Sequence, residues 1–151
     1  MQNILTEAYV TPDLFTPLSF NTEQVLSRFT QARNWQERYR QLMLLGKQLP
    51  KLASEYHIPN AQVQGCESNA WLYHYEKKGT HFYTGDSDAR IVRGLIVLLL
   101  IAYNDKTTTE INAFDHTHYF EELGLSGQLS PSRSNGLHAL INAIKDFANT
   151  A

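Results

Sequence analysis

Cys66 is the one cysteine in 151 residues, and it stands in the loop Val63-Gln64-Gly65-Cys66-Glu67-Ser68. A single thiol forms no internal disulfide and supplies too few ligands for a thiolate metal site or an iron–sulfur cluster. The chemistry open to it alone is nucleophilic: attack on, carriage of and release of a sulfur atom. The alternative is an inert role, because free cysteines are often small buried hydrophobes. Gly65 suggests a tight or exposed backbone, and Glu67 and Ser68 make the loop polar. A nearby Glu67 carboxylate raises the thiol pKa, so the loop is not built for a permanently ionised nucleophile.

Three arginines follow. Arg90 and Arg93 are three apart in the first turns of an expected helix and therefore share a face. Cations there oppose the helix dipole, so they need carboxylates, either Asp86 or Asp88 nearby or acidic groups on a partner. Arg133, in Ser130-Pro131-Ser132-Arg133-Ser134-Asn135-Gly136, sits at a helix start flanked by hydroxyls, either as part of a cap or as an anion contact. The six histidines give no metal-ligand spacing. His116 and His118 are placed in a loop, and His74 and His81 are expected to be neighbours across a hairpin. Neither a glycine-rich phosphate loop nor a G-x-S-x-G elbow is present.

The elements that position these residues follow from periodicity. Residues 1–20, with Pro12 and Pro17, have no period and read as an extended or partly disordered arm; 21–151 read as one domain. Asn21 with Gln24 opens a helix carrying Val25, Leu26, Phe29 and Ala32. Asn34 with Glu37 opens a second, carrying Trp35, Tyr39, Leu42 and Met43, with Gly46 placed to end it. The long connection from Pro50 to Gly65 holds a helical turn near Ala53–His57 and leads into Cys66. From Trp71 the period becomes two: Trp71, Tyr73 and Tyr75 alternate with Leu72, His74 and Glu76. Lys77-Lys78-Gly79 and His81-Phe82-Tyr83 then complete an antiparallel hairpin with an aromatic face, and a further strand upstream of Cys66 is conceivable.

Gly85-Asp86-Ser87-Asp88 reads as the cap of a helix from Ala89 to Tyr103 that is apolar all round from Leu95 onward and so buried. Short helices are expected at Thr107–Ala113 and Tyr119–Leu123. After Ser130-Pro131-Ser132 comes a last helix with Leu137, Leu140, Ile141, Ile144 and Ala148 on one face. The sum is an α+β fold, a small antiparallel sheet packed against several helices.

Composition bounds the rest. At 42% hydrophobic and 19% charged the chain is ordinary for a soluble domain, and a net charge of −2 gives no footprint for nucleic acid or an anionic membrane. The apolar run Leu95–Tyr103 is far shorter than the ~20 residues a membrane-spanning helix needs. Met1–Glu7 lack a basic, then apolar, leader pattern, so a cytoplasmic location is expected.

Several separated segments resemble the SufE/CsdE family in the same order: Gln64-Gly65-Cys66-Glu67-Ser68 with Trp71, then Gly85-Asp86-Ser87-Asp88-Ala89-Arg90-Ile91-Val92-Arg93-Gly94-Leu95, then Leu129-Ser130-Pro131-Ser132-Arg133-Ser134-Asn135-Gly136-Leu137. Asn34–Tyr39 and Leu44–Pro50 are similar to that family's helical opening, and the resemblance runs from about residue 22 to 148. Arg90-Ile91-Val92-Arg93-Gly94-Leu95, Glu122-Leu123-Gly124-Leu125 and the N-terminal arm look closer to the CsdE branch. The His-rich Asp115–His118 stretch departs from the pattern without touching these motifs.

The resemblance implies a SufE/IscU-like fold and a sulfur acceptor for a PLP-dependent cysteine desulfurase of SufS/CsdA type. Cys66 carries the sulfur as a persulfide toward a downstream acceptor or cluster scaffold, and the carrier stimulates the desulfurase. It implies no cofactor of the chain's own, since PLP belongs to the desulfurase. It points to Gly65, Glu67, Asp86, Arg90, Arg93 and Arg133 as partner-binding residues, to Gly65 as the residue permitting the loop geometry and to Trp71 as packing beneath the loop. It also implies a loop sheltered when free and extended into the desulfurase when bound. The rival readings are a single-cysteine thiol redox enzyme or sensor, such as a peroxidase, and a cluster scaffold, which would need three cysteines.

Overall fold

The computed structural model describes residues 15, 18 and 20–150. Of the stretch 1–20 expected as an arm, only Phe15, Leu18 and Phe20 are therefore described. Phe15 is buried beside Leu52 and Tyr73, its ring 5.7 Å from that of Tyr75, while Leu18 and Phe20 pack on the main core.

Helix α1 (Thr22–Gln31) begins with the expected reciprocal capping box between Asn21 and Gln24 and buries Val25 and Phe29. Helix α2 (Trp35–Gln48) is capped by Asn34, whose side chain accepts from the Glu37 backbone N–H. Gly46 does not end this helix, contrary to the expectation. It lies in its last turn, where a Cβ would stand 2.8 Å from the Arg90 carbonyl oxygen. Opposite it, a Cβ on Gly94 would lie 2.2 Å from the Leu42 carbonyl oxygen. The two glycines thus let α2 and helix α3 (Arg90–Tyr103) meet backbone to backbone.

The hairpin is β1 (Ala70–Lys77) and β2 (Thr80–Ser87), antiparallel, with Trp71 opposite Asp86 and Lys77 opposite Thr80. β2 runs further than the sequence suggests. Asp86 and Ser87 are strand residues, and α3 starts at Arg90 with no side-chain cap on its N-cap residue, Ala89. The reason is burial, since Gly85, Asp86 and Ser87 are all covered while forming ladder pairs. The third strand is β3 (Lys106–Thr107) beside β2. Among the described residues upstream of Cys66 the only strand pairing is an isolated bridge between Gln62 and Trp71.

Helix α3 is buried along nearly its whole length, as its apolar run requires. Beyond β3 come α4 (Thr108–Ala113), α5 (His116–Glu122) and α6 (Pro131–Thr150). His116 and His118 are thus helical, not in a loop; Asp115 caps that helix by accepting from the His118 backbone N–H. The face of α6 carrying Leu137, Leu140, Ile141, Ile144 and Ala148 is buried as expected, and Gly136 is buried with it. The result is the α+β layer anticipated: one hairpin-based sheet against a buried helix, with the other helices around them.

Candidate functional site

The Cys66 loop is tied at its neck and free at its tip. The Val63 N–H donates to the Ala70 carbonyl at 2.8 Å, next to the Gln62–Trp71 bridge. A chain of amides fastens the same neck to the start of α3: Gln62 Nε2 donates to Asn69 Oδ1 at 2.9 Å, and Asn69 Nδ2 donates to Asp88 Oδ2 at 2.9 Å. Ser87 Oγ donates to the Asn69 carbonyl at 2.6 Å. Between these ties Gly65 takes φ +92°, a region costly for residues with a Cβ. Gly65 therefore permits the turn, as expected, and a Cβ added to it would lie 3.4 Å from the Ala139 Cβ of α6.

Cys66 is half-buried, neither sealed nor displayed. It opens into a cleft of about 470 Å³ whose lining comes from three places: Glu67 and Ser68 of the loop; the N-cap residue Ala89 with Val92 and Leu95 of α3; Ser132, Arg133 and Leu137 of α6. The thiol faces Gly136, where an added Cβ would lie 3.0 Å from Sγ. Burial pushes the thiol pKa up, and Asp88 and then Glu67 add to it; the Ser68 backbone N–H, directed at the sulfur, opposes them. Glu67 thus acts in the direction the sequence suggests, but burial is the larger cause and Asp88 acts alongside it. Taken together these influences favour the neutral thiol.

The other residues separate by burial. Gly65, Glu67 and Arg90 are exposed, and Arg133 is half-buried at the cleft with its guanidinium 5.7 Å over the Tyr39 ring. Arg93 and Asp86 are buried against each other and present no open surface. Arg93 donates to Asp86 Oδ1, to the Leu49 carbonyl and, at 3.2 Å, to the Gly46 carbonyl. Asp86 Oδ2 in turn accepts from the Leu52 N–H at 3.2 Å and meets His57 Nε2 at 3.1 Å. The pair joins the end of α2, the connection after it, β2 and α3, so that the turn bearing Arg90 is fixed. Of the two expectations for Arg93, pairing with Asp86 is the one observed.

Trp71 is buried, but its ring partner is His57, stacked at 3.9 Å and 7°, on the 57–62 side of the loop neck. Sequence reasoning missed Gly136 as the thiol's neighbour and the Gln62–Asn69–Asp88 chain. Both link segments far apart in the chain, and only the glycine inside a helical stripe hinted at close approach.

Fold and site define a thiol-presenting α+β protein, with one cysteine on a neck-tied loop over a cleft between two helices. Residues 23–148 match the family SufE, "Fe-S metabolism associated domain", and the chain belongs to that family. It is 45% identical over 123 residues to the "Sulfur acceptor protein CsdE" of Escherichia coli (strain K12), covering 81% of this chain and 84% of that protein, which sets it in the CsdE branch. Its fold matches the solution structure of a hypothetical protein from Thermus thermophilus with a TM-score of 0.67 at 16% identity, over 86% of this chain and 94% of that one. Among the described residues no helix is long and apolar enough to cross a membrane, and no three His, Cys, Asp or Glu side chains converge as metal ligands.

Proposed function

We propose that Cys66 accepts sulfane sulfur as a persulfide from a PLP-dependent cysteine desulfurase of SufS/CsdA type and passes it on for iron–sulfur cluster assembly or related sulfur transfer. The observation that carries this reading is a lone, half-buried thiol on a glycine-hinged loop, in a chain of the SufE family. The Cys66 thiolate attacks the terminal sulfur of the desulfurase persulfide. A new S–S bond forms at Cys66, the bond between that sulfur and the desulfurase cysteine breaks, and the electron pair leaves on the desulfurase thiolate. The transferred sulfur ends as the Cys66 persulfide.

Ionisation is the step the free protein resists, since burial, Asp88 and Glu67 all favour the neutral thiol. Lifting the tip out of the cleft removes the burial and brings the thiol to the partner's persulfide. The neck ties at Val63–Ala70 and Asn69–Asp88 stay in place and limit the movement to residues 64–68. The absence of a second cysteine suits a carrier, because no resolving thiol stands by to expel the sulfur.

Glu67 and the half-buried Arg133 at the cleft form the partner face together with the exposed Gly65 and Arg90 beside it, and Asp86 with Arg93 holds Arg90 in place from beneath. PLP chemistry stays with the desulfurase, so the chain acts as carrier and activator with no turnover of its own. A reducing cytoplasm suits a thiol that must remain free. A free-standing thiol peroxidase fits less well, because it needs its own thiol ionised.

The test is desulfurase turnover on cysteine with increasing amounts of this protein. Wild type should raise the rate in a saturable way and Cys66→Ser should not. Equal stimulation by the serine variant would refute the persulfide route.

A further inference from the structure

On the opposite side of the α3 N-terminus from Cys66 lies a second hollow, of about 750 Å³. Met43, Leu49 and Leu52 give it an apolar base, and Lys47, Lys51 and Arg90 stand on its walls. All three cations are exposed, and among the described residues none has a carboxylate within salt-bridge distance. Of the acidic groups lining the hollow, Asp86 neutralises Arg93, which leaves one carboxylate, Asp88, held by Asn69, against the three cations. On a chain of net charge −2 this is a local excess of positive charge, not a bulk property.

The hollow adjoins the site across one turn of chain. Asp88 and Arg90 line it, while Ala89 and Ile91 line the Cys66 cleft, so successive residues of one turn face the two sides of a single ridge. A body seated over the cleft also covers that ridge. An apolar base between unpaired cations suits a peptide with carboxylates flanking an apolar side chain.

We propose that this groove is a docking anchor for an acidic segment of the cognate desulfurase, held by Lys47 and Lys51 with Arg90 while the desulfurase cysteine reaches Cys66. The proposal rests on the sulfur-acceptor reading. The anchor acts on encounter and affinity, not on the transfer itself, because neither lysine lines the Cys66 cleft. Its contribution is electrostatic and weakens as salt rises.

The experiment compares Lys47→Glu with Lys51→Glu, combined, against the same charge change at Lys77 and Lys78 in the exposed hairpin turn at the other end of β1. Desulfurase affinity is measured by calorimetry at low and high salt, and persulfide formation on Cys66 at saturating desulfurase. The groove variant should bind about tenfold or more weakly at low salt, with the difference shrinking at high salt, while the turn variant stays near wild type. Transfer at saturation should be preserved. The neutral Lys47→Gln, Lys51→Gln pair should fall between, and thermal midpoints near wild type exclude unfolding.

Equal affinities for the groove and turn variants would overturn the anchor while leaving the sulfur-acceptor reading intact. Weakened binding to a downstream sulfur acceptor alone would assign the groove to another partner and also overturn it. Wild-type protein that takes no sulfur even at saturation would bring down the acceptor reading itself.

Discussion

The sulfur of Cys66 rests against the backbone of Gly136, close enough that a single methyl group on that glycine would lie 3.0 Å from Sγ. The last helix therefore provides the thiol's seat through a residue with no side chain. A thiol that must be sheltered yet releasable suits such a contact, because nothing but packing and the loop's own backbone holds it there.

Gly136→Ala should crowd the sulfur and shift the loop tip outward. Gly136 is helical, so the exchange to alanine carries no backbone penalty. Alkylation of Cys66 by iodoacetamide at neutral pH should become several-fold faster, with little change in thermal midpoint. Slower alkylation would mean that the loop is not seated on this helix.

The free thiol should titrate above the ordinary value of 9.0, because burial, Asp88 and Glu67 each favour the neutral form. The pH at which alkylation reaches half its limiting rate reads this directly. Asp88→Asn should lower that pH, since it removes one carboxylate while keeping a group able to bond Asn69. An unshifted midpoint would show that Asp88 exerts no field on the sulfur.

Removing one partner of the Arg93–Asp86 pair should strand a buried charge. Arg93→Met is expected to cost about 3–5 kcal/mol by urea denaturation, and Asp86→Leu added to it should recover part of that loss. Strictly additive losses would argue against a coupled pair.

A second buried network sits at the other end of the hairpin. Thr108 Oγ1 donates to the Ala148 carbonyl at 3.1 Å, so it accepts from His81 Nε2 at 2.8 Å. His81 Nδ1 is then the acceptor for His74 Nε2, also at 2.8 Å. The chain requires His81 neutral, since its Nδ1 accepts, and burial first, then the neighbouring His81, lowers the His74 pKa to about 4. A depressed folded-state pKa gives stability that is complete above the ordinary 6.5 and is lost as pH falls through about 4. The denaturant midpoint should therefore drop across that window, and His74→Phe should flatten the drop. A midpoint equally steep in both proteins would locate the acid sensitivity elsewhere.

What could be read in the chain was what is local. The Asn21 capping box, the alternation from Trp71 to Glu76 and the apolar girdle of α3 are each set by residues within a few positions of one another. The buried stripe on α6 was legible for the same reason. The errors arose where distant segments meet. Gly46 reads as a helix stop until Gly94 and Arg90 are seen packed against it. Asp86 reads as a helix cap until Arg93, Leu52 and His57 converge on its carboxylate from three directions.

The site shows the same division. Cys66 and its glycine hinge could be found from residue types alone. Its seat on Gly136 and the exposure that separates Arg90 from Arg93 could not, because helical spacing gives a shared face without saying how much of that face is covered. His74 and His81 were placed together by hairpin register, yet their link to Thr108 depends on where α4 and α6 meet.

Sulfur carriage by Cys66 is read most directly in the intact mass of this protein after incubation with a cysteine desulfurase, PLP and cysteine, with and without a thiol reductant. A gain of one sulfur atom or more is expected, which the reductant removes and Cys66→Ser never acquires. An unmodified mass, or the same reducible gain on the serine variant, would contradict it.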